Sequence, residues 1–213
     1  MLAPVAVFGR SHRVTGGRQP RGVDAARLAN PAWVEEVEEI RHRCPDDEAG
    51  LRHAITFAHE NVLHGTGGPF GAVVVDADSG EVVSVGVNGV ERLHDSVAHA
   101  EIVALVAAEA RLGSYSLSSG ALRYTLYSSC EPCAMCLGAI LWSGISRVVY
   151  AARREDAEAI GFDEGPVFPG SHEYLAARGI AVEPGPLREE AAAVMRRYVE
   201  QGGTIYNASP ARR

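Results

Sequence analysis

Residues Tyr124–Ala151, YTLYSSCEPCAMCLGAILWSGISRVVYA, decide the fold. Tyr124–Tyr127 reads as a short strand, Pro132–Trp142 as a helix and Arg147–Ala151 as another strand. Upstream, Ala98–Leu112 (AHAEIVALVAAEARL) is apolar almost all round. A helix with no polar face belongs inside a layered fold, covered on more than one side. Before it, Ala72-Val73-Val74-Val75 carries a buried-strand signal, and Asp76–Gly80 makes a hairpin into Glu81–Asn88. A further helix is expected from about Asp46 to Leu63, with Leu51, Ile55, Ala58 and Val62 at helical spacing. Pro31–Arg43 reads as a short amphipathic helix ended by Cys44-Pro45. Downstream, Gly179–Val182 is a weaker strand and Leu187–Glu200 a final amphipathic helix. The order is helix, hairpin, helix, strand, helix, strand, loop, strand, helix. That alternation implies an α/β fold, with a mixed sheet covered by helices on both faces.

The chain has 213 residues, enough for one good core and too few for two comfortable domains. Its 20 basic residues are all arginine, set against 27 acidic ones for a formal charge of −7. Arg10, Arg13, Arg18 and Arg21 stand unopposed before Gly22, so the rest of the chain is more acidic still. Extended contact with DNA or RNA is disfavoured, because that affinity rests on neutralising phosphates. The opening MLAPVAVF lacks the cationic start of a signal peptide, and no apolar run is long enough to span a bilayer. A cytoplasmic protein is expected. The stretch up to Gly22 is rich in Gly, Arg and Pro without a period and reads as a disordered arm. Residues 1–45 are thus expected to form an extension, and 46–213 a single domain.

Two short motifs carry the chemistry: His99-Ala100-Glu101 and Pro132-Cys133-Ala134-Met135-Cys136. Each falls at the start of an expected helix, with Pro132 suited to the first helical position. Cys133 and Cys136 would share one face of the first turn. Helix N-termini carry partial positive charge, which favours thiolate over thiol. With His99 they would supply three of zinc's four tetrahedral positions and leave the fourth to water, as in catalytic sites. Zinc brings such a water's pKa near neutrality. Glu101 is too close to His99 to be a second ligand and is placed to carry the water's proton. Other readings stand beside this one. Cys130, Cys133 and Cys136 could belong to an iron–sulfur set, whose fourth cysteine would have to be the distant Cys44. Cys130 could also complete a structural Cys3His zinc, although it precedes Glu131-Pro132 and so lies outside the helix.

His-x-Glu followed by Pro-Cys-x-x-Cys is the zinc deaminase signature. From His64 to Asn207 the chain resembles the cytidine-deaminase-like superfamily, and within it looks most like the small bacterial guanine deaminases. The resembling segments are Gly67–Ala72 (GGPFGA), Ala98–Glu101 (AHAE) and Ser128–Cys136 (SSCEPCAMC), together with Ala157–Glu164 (AEAIGFDE) and Ile205–Ala208 (IYNA). The resemblance implies a three-layer α/β/α sandwich around a mixed five-stranded sheet. It implies one zinc ion per chain on His99, Cys133 and Cys136. Activated water would then add at C2 of guanine while Glu101 protonates N3; ammonia leaves and xanthine remains. Phe70 would stack on the purine and Asn88 hydrogen-bond its edge, with Ala100 also against the substrate. Glu164 or Asp163 would contact the amino group, and Glu164 could be a second proton carrier. Trp142 could line the pocket. The C-terminal segment would cross to a partner in a homodimer and set Tyr206 and Asn207 over the neighbouring substrate. Related enzymes take other amino-heterocycles (guanosine, ammeline, pterin, cytosine) or the adenosine of tRNA, and a non-catalytic structural-zinc protein is the remaining alternative.

Overall fold

The computed structural model describes residues 28–37, 43–118 and 122–207. Five strands form one sheet in the order β2-β1-β3-β4-β5. These are β1 (Gly71–Asp76), β2 (Val82–Val87), β3 (Tyr124–Cys130), β4 (Arg147–Ala152) and β5 (Ala181–Pro184). β1 pairs antiparallel with both β2 and β3, whereas β3–β4 and β4–β5 are parallel. The sheet is therefore mixed, as the hairpin followed by strand–helix–strand units implied.

Helices cover both faces. The period-2 alternation of β1 sends Val73 and Val75 one way, into a core with Leu51, Phe57 and Ala58 of α1 (Asp47–Leu63) and Ala191, Val194 and Met195 of the C-terminal helix Arg188–Glu200. Ala72 and Val74 point the other way, toward Ala104 and Ala108 of the helix Ala100–Leu112, Leu137 and Ile140 of the helix Ala134–Ser143, and Leu175. This is the expected three-layer sandwich. Gly86 shows how closely the layers approach: a Cβ there would lie 2.0 Å from the carbonyl oxygen of Ala100.

In chain order the remaining helices are α2 (Val90–Leu93), α3 (Ala100–Leu112), α4 (Ala134–Ser143), α5 (Arg154–Ala159), α6 (Pro169–Ala176) and α7 (Arg188–Glu200). The polar loop after β2 thus contains α2. The stretch expected to be a loop between β4 and β5 contains α5 and α6, because a parallel pair needs a crossover and short polar helices leave no apolar period to read. β3 runs on past Tyr127 to Cys130. Ser129 can be buried there because its hydroxyl is used: Ser129 Oγ accepts the Gly71 N–H at 3.1 Å. β5 lies two residues later than expected. α4 begins at Ala134 with Cys133 as its N-cap, so Pro132 precedes the helix rather than opening it.

The amphipathic helix expected over Pro31–Arg43 is, in its described part, a single 3-10 turn at Ala32–Glu35. Its two large apolar residues, Trp33 and Val34, are both buried, so this single turn is held by packing rather than by an amphipathic period. The arm expected before Gly22 lies outside the described residues.

Candidate active site

The site is built where two helices begin. His99 is the N-cap of α3 and Cys133 the N-cap of α4; both have extended backbones, and neither side chain caps its helix. Cys136 sits on the first turn of α4. The Sγ atoms of Cys133 and Cys136 each lie 3.6 Å from His99 Nδ1. Bonds of about 2.3 Å to sulfur and 2.0–2.1 Å to nitrogen at a tetrahedral angle place S and N about 3.6 Å apart, so this donor set fits zinc. Among the described residues it is the group of this kind, with its ligand atoms all within 4.8 Å of one another. Nδ1 is the nitrogen that faces the thiols.

Electrostatics agree with the geometry. A hydrogen bond from Cys136, opposed by burial and reinforced by His99, brings the Cys133 thiol down to about 4, so it is a thiolate at neutral pH. The shared hydrogen bond with Cys133, together with burial, holds the Cys136 proton on. Burial raises Glu101, and the neighbouring Cys133 charge raises it further. A carboxyl so poised can both take and give a proton. Glu164 is pushed up to about 8 by burial and then by the charges of Cys133 and Glu101. Its backbone carbonyl accepts the first N–H of α4, from Ala134, at 3.0 Å. The Glu164 loop is therefore fastened to the helix that carries both cysteines.

These groups open onto a cavity of about 440 Å³. His99, Glu101, Cys133, Phe70, Asn88, Asp163, Glu164, Tyr206 and Asn207 line it, joined by Phe162 and Met135. Phe162 meets Phe70 edge-on (ring centroids 5.1 Å apart) and tilts against Tyr206 at 4.9 Å, forming an aromatic wall. The Tyr206 hydroxyl is buried and has no hydrogen-bond partner among the described residues; it lies directly over Gly68, where a Cβ would come within 2.1 Å of it. Asp163 Oδ1 accepts the Gly165 N–H at 2.9 Å, so this carboxylate is partly spent shaping its own turn.

Two residues expected at the substrate are placed elsewhere. Trp142 is 82% exposed on the outer face of α4, six residues and more than one turn beyond Cys136, and does not line the cavity. Ala100 is buried in the core against β2, because its helix faces the sheet on that side. Tyr206 and Asn207 cover the cavity of their own chain. Asn207 accepts from Asp163 N at 2.9 Å and donates to Gly161 O at 2.8 Å. Cys130 borders the cavity but stays outside the ligand cluster: its thiol donates to the Arg153 carbonyl at 3.7 Å, and burial raises its pKa. Cys44 is buried at the hairpin turn, where its N–H donates to Gly80 O at 2.8 Å. Neither completes a fourth ligand. The sequence reading missed Phe162, although it stands within the resembling stretch Ala157–Glu164, and Asn61, a polar residue on the buried side of α1.

Comparison with known proteins meets the same residues. The model of the cytidine and deoxycytidylate deaminase zinc-binding region matches residues 45–152. A guanine deaminase from Bacillus subtilis is 45% identical over 121 residues, covering 57% of this chain and 74% of the relative. A tRNA-specific adenosine deaminase from Haemophilus influenzae is 35% identical over 154 residues, covering 72% and 83%. The solved guanine deaminase from Nitrosomonas europaea superposes with a TM-score of 0.70 at 37% identity, covering 89% of this chain and 98% of that one. The matched span runs through His99, Glu101, Cys133 and Cys136, so the donor set assembled by two helix N-termini is that of the cytidine and deoxycytidylate deaminase zinc-binding family, to which this chain belongs.

Proposed function

We propose that the chain removes an amino group hydrolytically from a nucleobase, and that the base is guanine: guanine and water become xanthine and ammonia. The observation that carries this reading is the placement of two carboxyls, Glu101 and Glu164, beside a His–Cys–Cys zinc set in one cavity that no Lys or Arg among the described residues lines. Bound to His99, Cys133 and Cys136, zinc would supply an activated water near neutral pH. Glu101 takes the water's proton and delivers it to N3 of the purine, next to the C2 that is attacked. Glu164, held to the N-terminus of α4, contacts the amino group and carries the second proton to it as ammonia departs. The aromatic wall of Phe70 and Phe162 offers the ring a stacking surface. Asn88 accepts the Gly68 and Val90 N–H groups through Oδ1, at 3.4 and 3.3 Å, so its Nδ2 is left to donate to the base edge. Tyr206, with its unused hydroxyl, closes the top.

The substrate class follows from charge. Glu101, Glu131, Asp163 and Glu164 line the cavity, and no Lys or Arg among the described residues does. Such a wall favours a neutral, amino-rich heterocycle over a phosphate-bearing one such as tRNA. The aminohydrolase unit is residues 46–213, with the preceding segment as an extension. A homodimer with exchanged C-terminal segments would use the same contacts of Tyr206 and Asn207, made to a partner rather than in cis. All four cysteines are free, as suits a reducing cytoplasm, and no helix among the described residues is long and apolar enough to cross a membrane.

The test is Glu101→Gln assayed for zinc content and for ammonia release over guanine, guanosine, adenine, cytosine, ammeline and a tRNA hairpin. The expected result is guanine preference in the wild type, with zinc retained and activity lost in the variant. Unchanged activity sinks the mechanism. A different preferred base replaces the substrate and leaves the chemistry.

A further inference from the structure

Asn61 is completely buried on α1, and its side chain is fully used. Its Nδ2 donates to two carbonyls, Gly68 O and Asn88 O, each at 2.9 Å, and its Oδ1 accepts from Thr66 Oγ1 at 2.7 Å. Those carbonyls belong to the two segments that meet at the substrate edge of the cavity: the 64–70 turn leading to Phe70, and the end of β2 carrying Asn88. The approach is so close that a Cβ on Gly67 would lie 1.9 Å from Asn88 O. Gly68 in turn donates its N–H to Asn88 Oδ1, a contact that fixes the amide oxygen of this cavity-lining residue.

The chain of bonds continues away from the site. Thr66 Oγ1 accepts the indole N–H of Trp33 at 3.0 Å, and the Trp33 ring stacks on His64, 4.8 Å away and within 6° of parallel. Trp33 lies in the strap 28–37, N-terminal to the zinc-binding region. The strap is itself fixed at two more points. Asn30 lies on the open edge of β2 and imitates a strand residue there, donating to Val85 O at 2.7 Å and accepting from Val87 N at 3.1 Å. Arg92 of α2 donates to the carbonyl of Ala29. The strap thus grips β2 immediately before Asn88 and the 64–70 turn immediately before Gly68.

We propose that Trp33, Thr66 and Asn61 are positioning residues that fix the orientation of the Asn88 amide, so that the N-terminal strap sets affinity for the base without entering the chemistry. The proposal rests on the reading of the cavity as a nucleobase site with Asn88 at the substrate. None of the three touches the His–Cys–Cys set or Glu101. Their loss therefore loosens a ground-state contact and leaves proton transfer in place, which appears in KM and spares kcat.

Steady-state kinetics of ammonia release from guanine test this with three variants. Thr66→Val keeps the shape and removes the hydroxyl, Trp33→Phe keeps the ring and removes the donor, and Thr66→Ser keeps the hydroxyl. The valine and phenylalanine variants should raise KM about three- to ten-fold, the worth of the one hydrogen bond between Asn88 and the base, with kcat within about two-fold. Zinc stays at the wild-type level, Thr66→Ser restores KM, and the double variant is no worse than Thr66→Val alone, because both singles break one chain of bonds. An unchanged KM in Thr66→Val overturns the proposal. So does a parallel fall of kcat, zinc content and folded fraction, which is what a merely structural role would give. If the wild type prefers another base of the panel, the same ratios are read on that base, so a wrong substrate is told apart from a wrong role. A wild type that deaminates nothing removes both.

Discussion

Cys133 illustrates a conflict settled at one residue. Its position at the start of α4 is one where Ser, Thr, Asp or Asn would satisfy an orphan N–H of the first turn, and no such side-chain bond is made. His99 stands in the same relation to α3. Both helices forgo a cap so that their N-terminal side chains can turn toward one another, and the positive helix ends lower the cost of the thiolate. Exchanging Cys133 for serine therefore has opposite effects on binding and folding. Cys133→Ser should lose zinc and ammonia release. Yet in the presence of a chelator it should melt higher than the equally stripped wild type, by about 0.5–1 kcal/mol of recovered capping. Thermal melts with and without chelator read both effects, and a variant less stable than wild type in both conditions would contradict the account.

At the scale of elements, the cavity is closed by segments that follow helices. The turn after α5 brings Phe162, Asp163 and Glu164 to it, and the tail after α7 brings Tyr206 and Asn207. The tail is held by few bonds: Tyr198 of α7 donates to Thr204 O at 2.8 Å, and Asn207 bridges Gly161 and Asp163. None reaches the zinc ligands. A chain ending at Gln201 should thus keep its zinc and its melting temperature within a few degrees, while kcat/KM falls about ten-fold or more as water enters the site. Full activity of the shortened chain would show that the tail is not a cover. If the tail is exchanged in a dimer, mixing the shortened chain with Glu101→Gln restores activity, which the cis arrangement does not allow. None of these closing segments announces itself by period, since α5 and α6 are short and polar and the tail is irregular.

Across the whole molecule, one cluster ties the layers together at the edge opposite the site. Arg147 of β4 donates to both oxygens of Asp47 at the start of α1, at 2.6 and 2.8 Å, and to Glu183 of β5 at 3.0 Å, while Tyr127 of β3 donates to Asp47 at 3.1 Å. The Arg147 hydrogen bonds hold the Asp47 carboxyl below its usual 3.8. A carboxyl lowered on folding contributes stability that is complete above its unfolded value and lost as pH falls through its folded one. Arg147→Met should cost about 1 kcal/mol at pH 7, discounted because both side chains are about one-third exposed, and should raise the midpoint of acid unfolding. The difference between variant and wild type should vanish in urea titrations well below pH 3.8. A difference constant with pH would assign the loss to packing instead.

By itself the sequence determined the His–Cys–Cys donor set, the carboxyl two residues beyond its histidine and the order of the main strands and helices. Each of these depends on spacing within one element or on the fixed geometry of a helix start, where Cys133 and Cys136 meet because a helix turns once in about 3.6 residues. Only the tertiary structure decided that Trp142 faces outward, that Ala100 is buried beneath its helix, and that Trp33, Thr66 and Asn61 form a line of hydrogen bonds to Asn88. Those outcomes join residues far apart in the chain through the packing of layers, and no local period encodes which face of one element meets which loop of another.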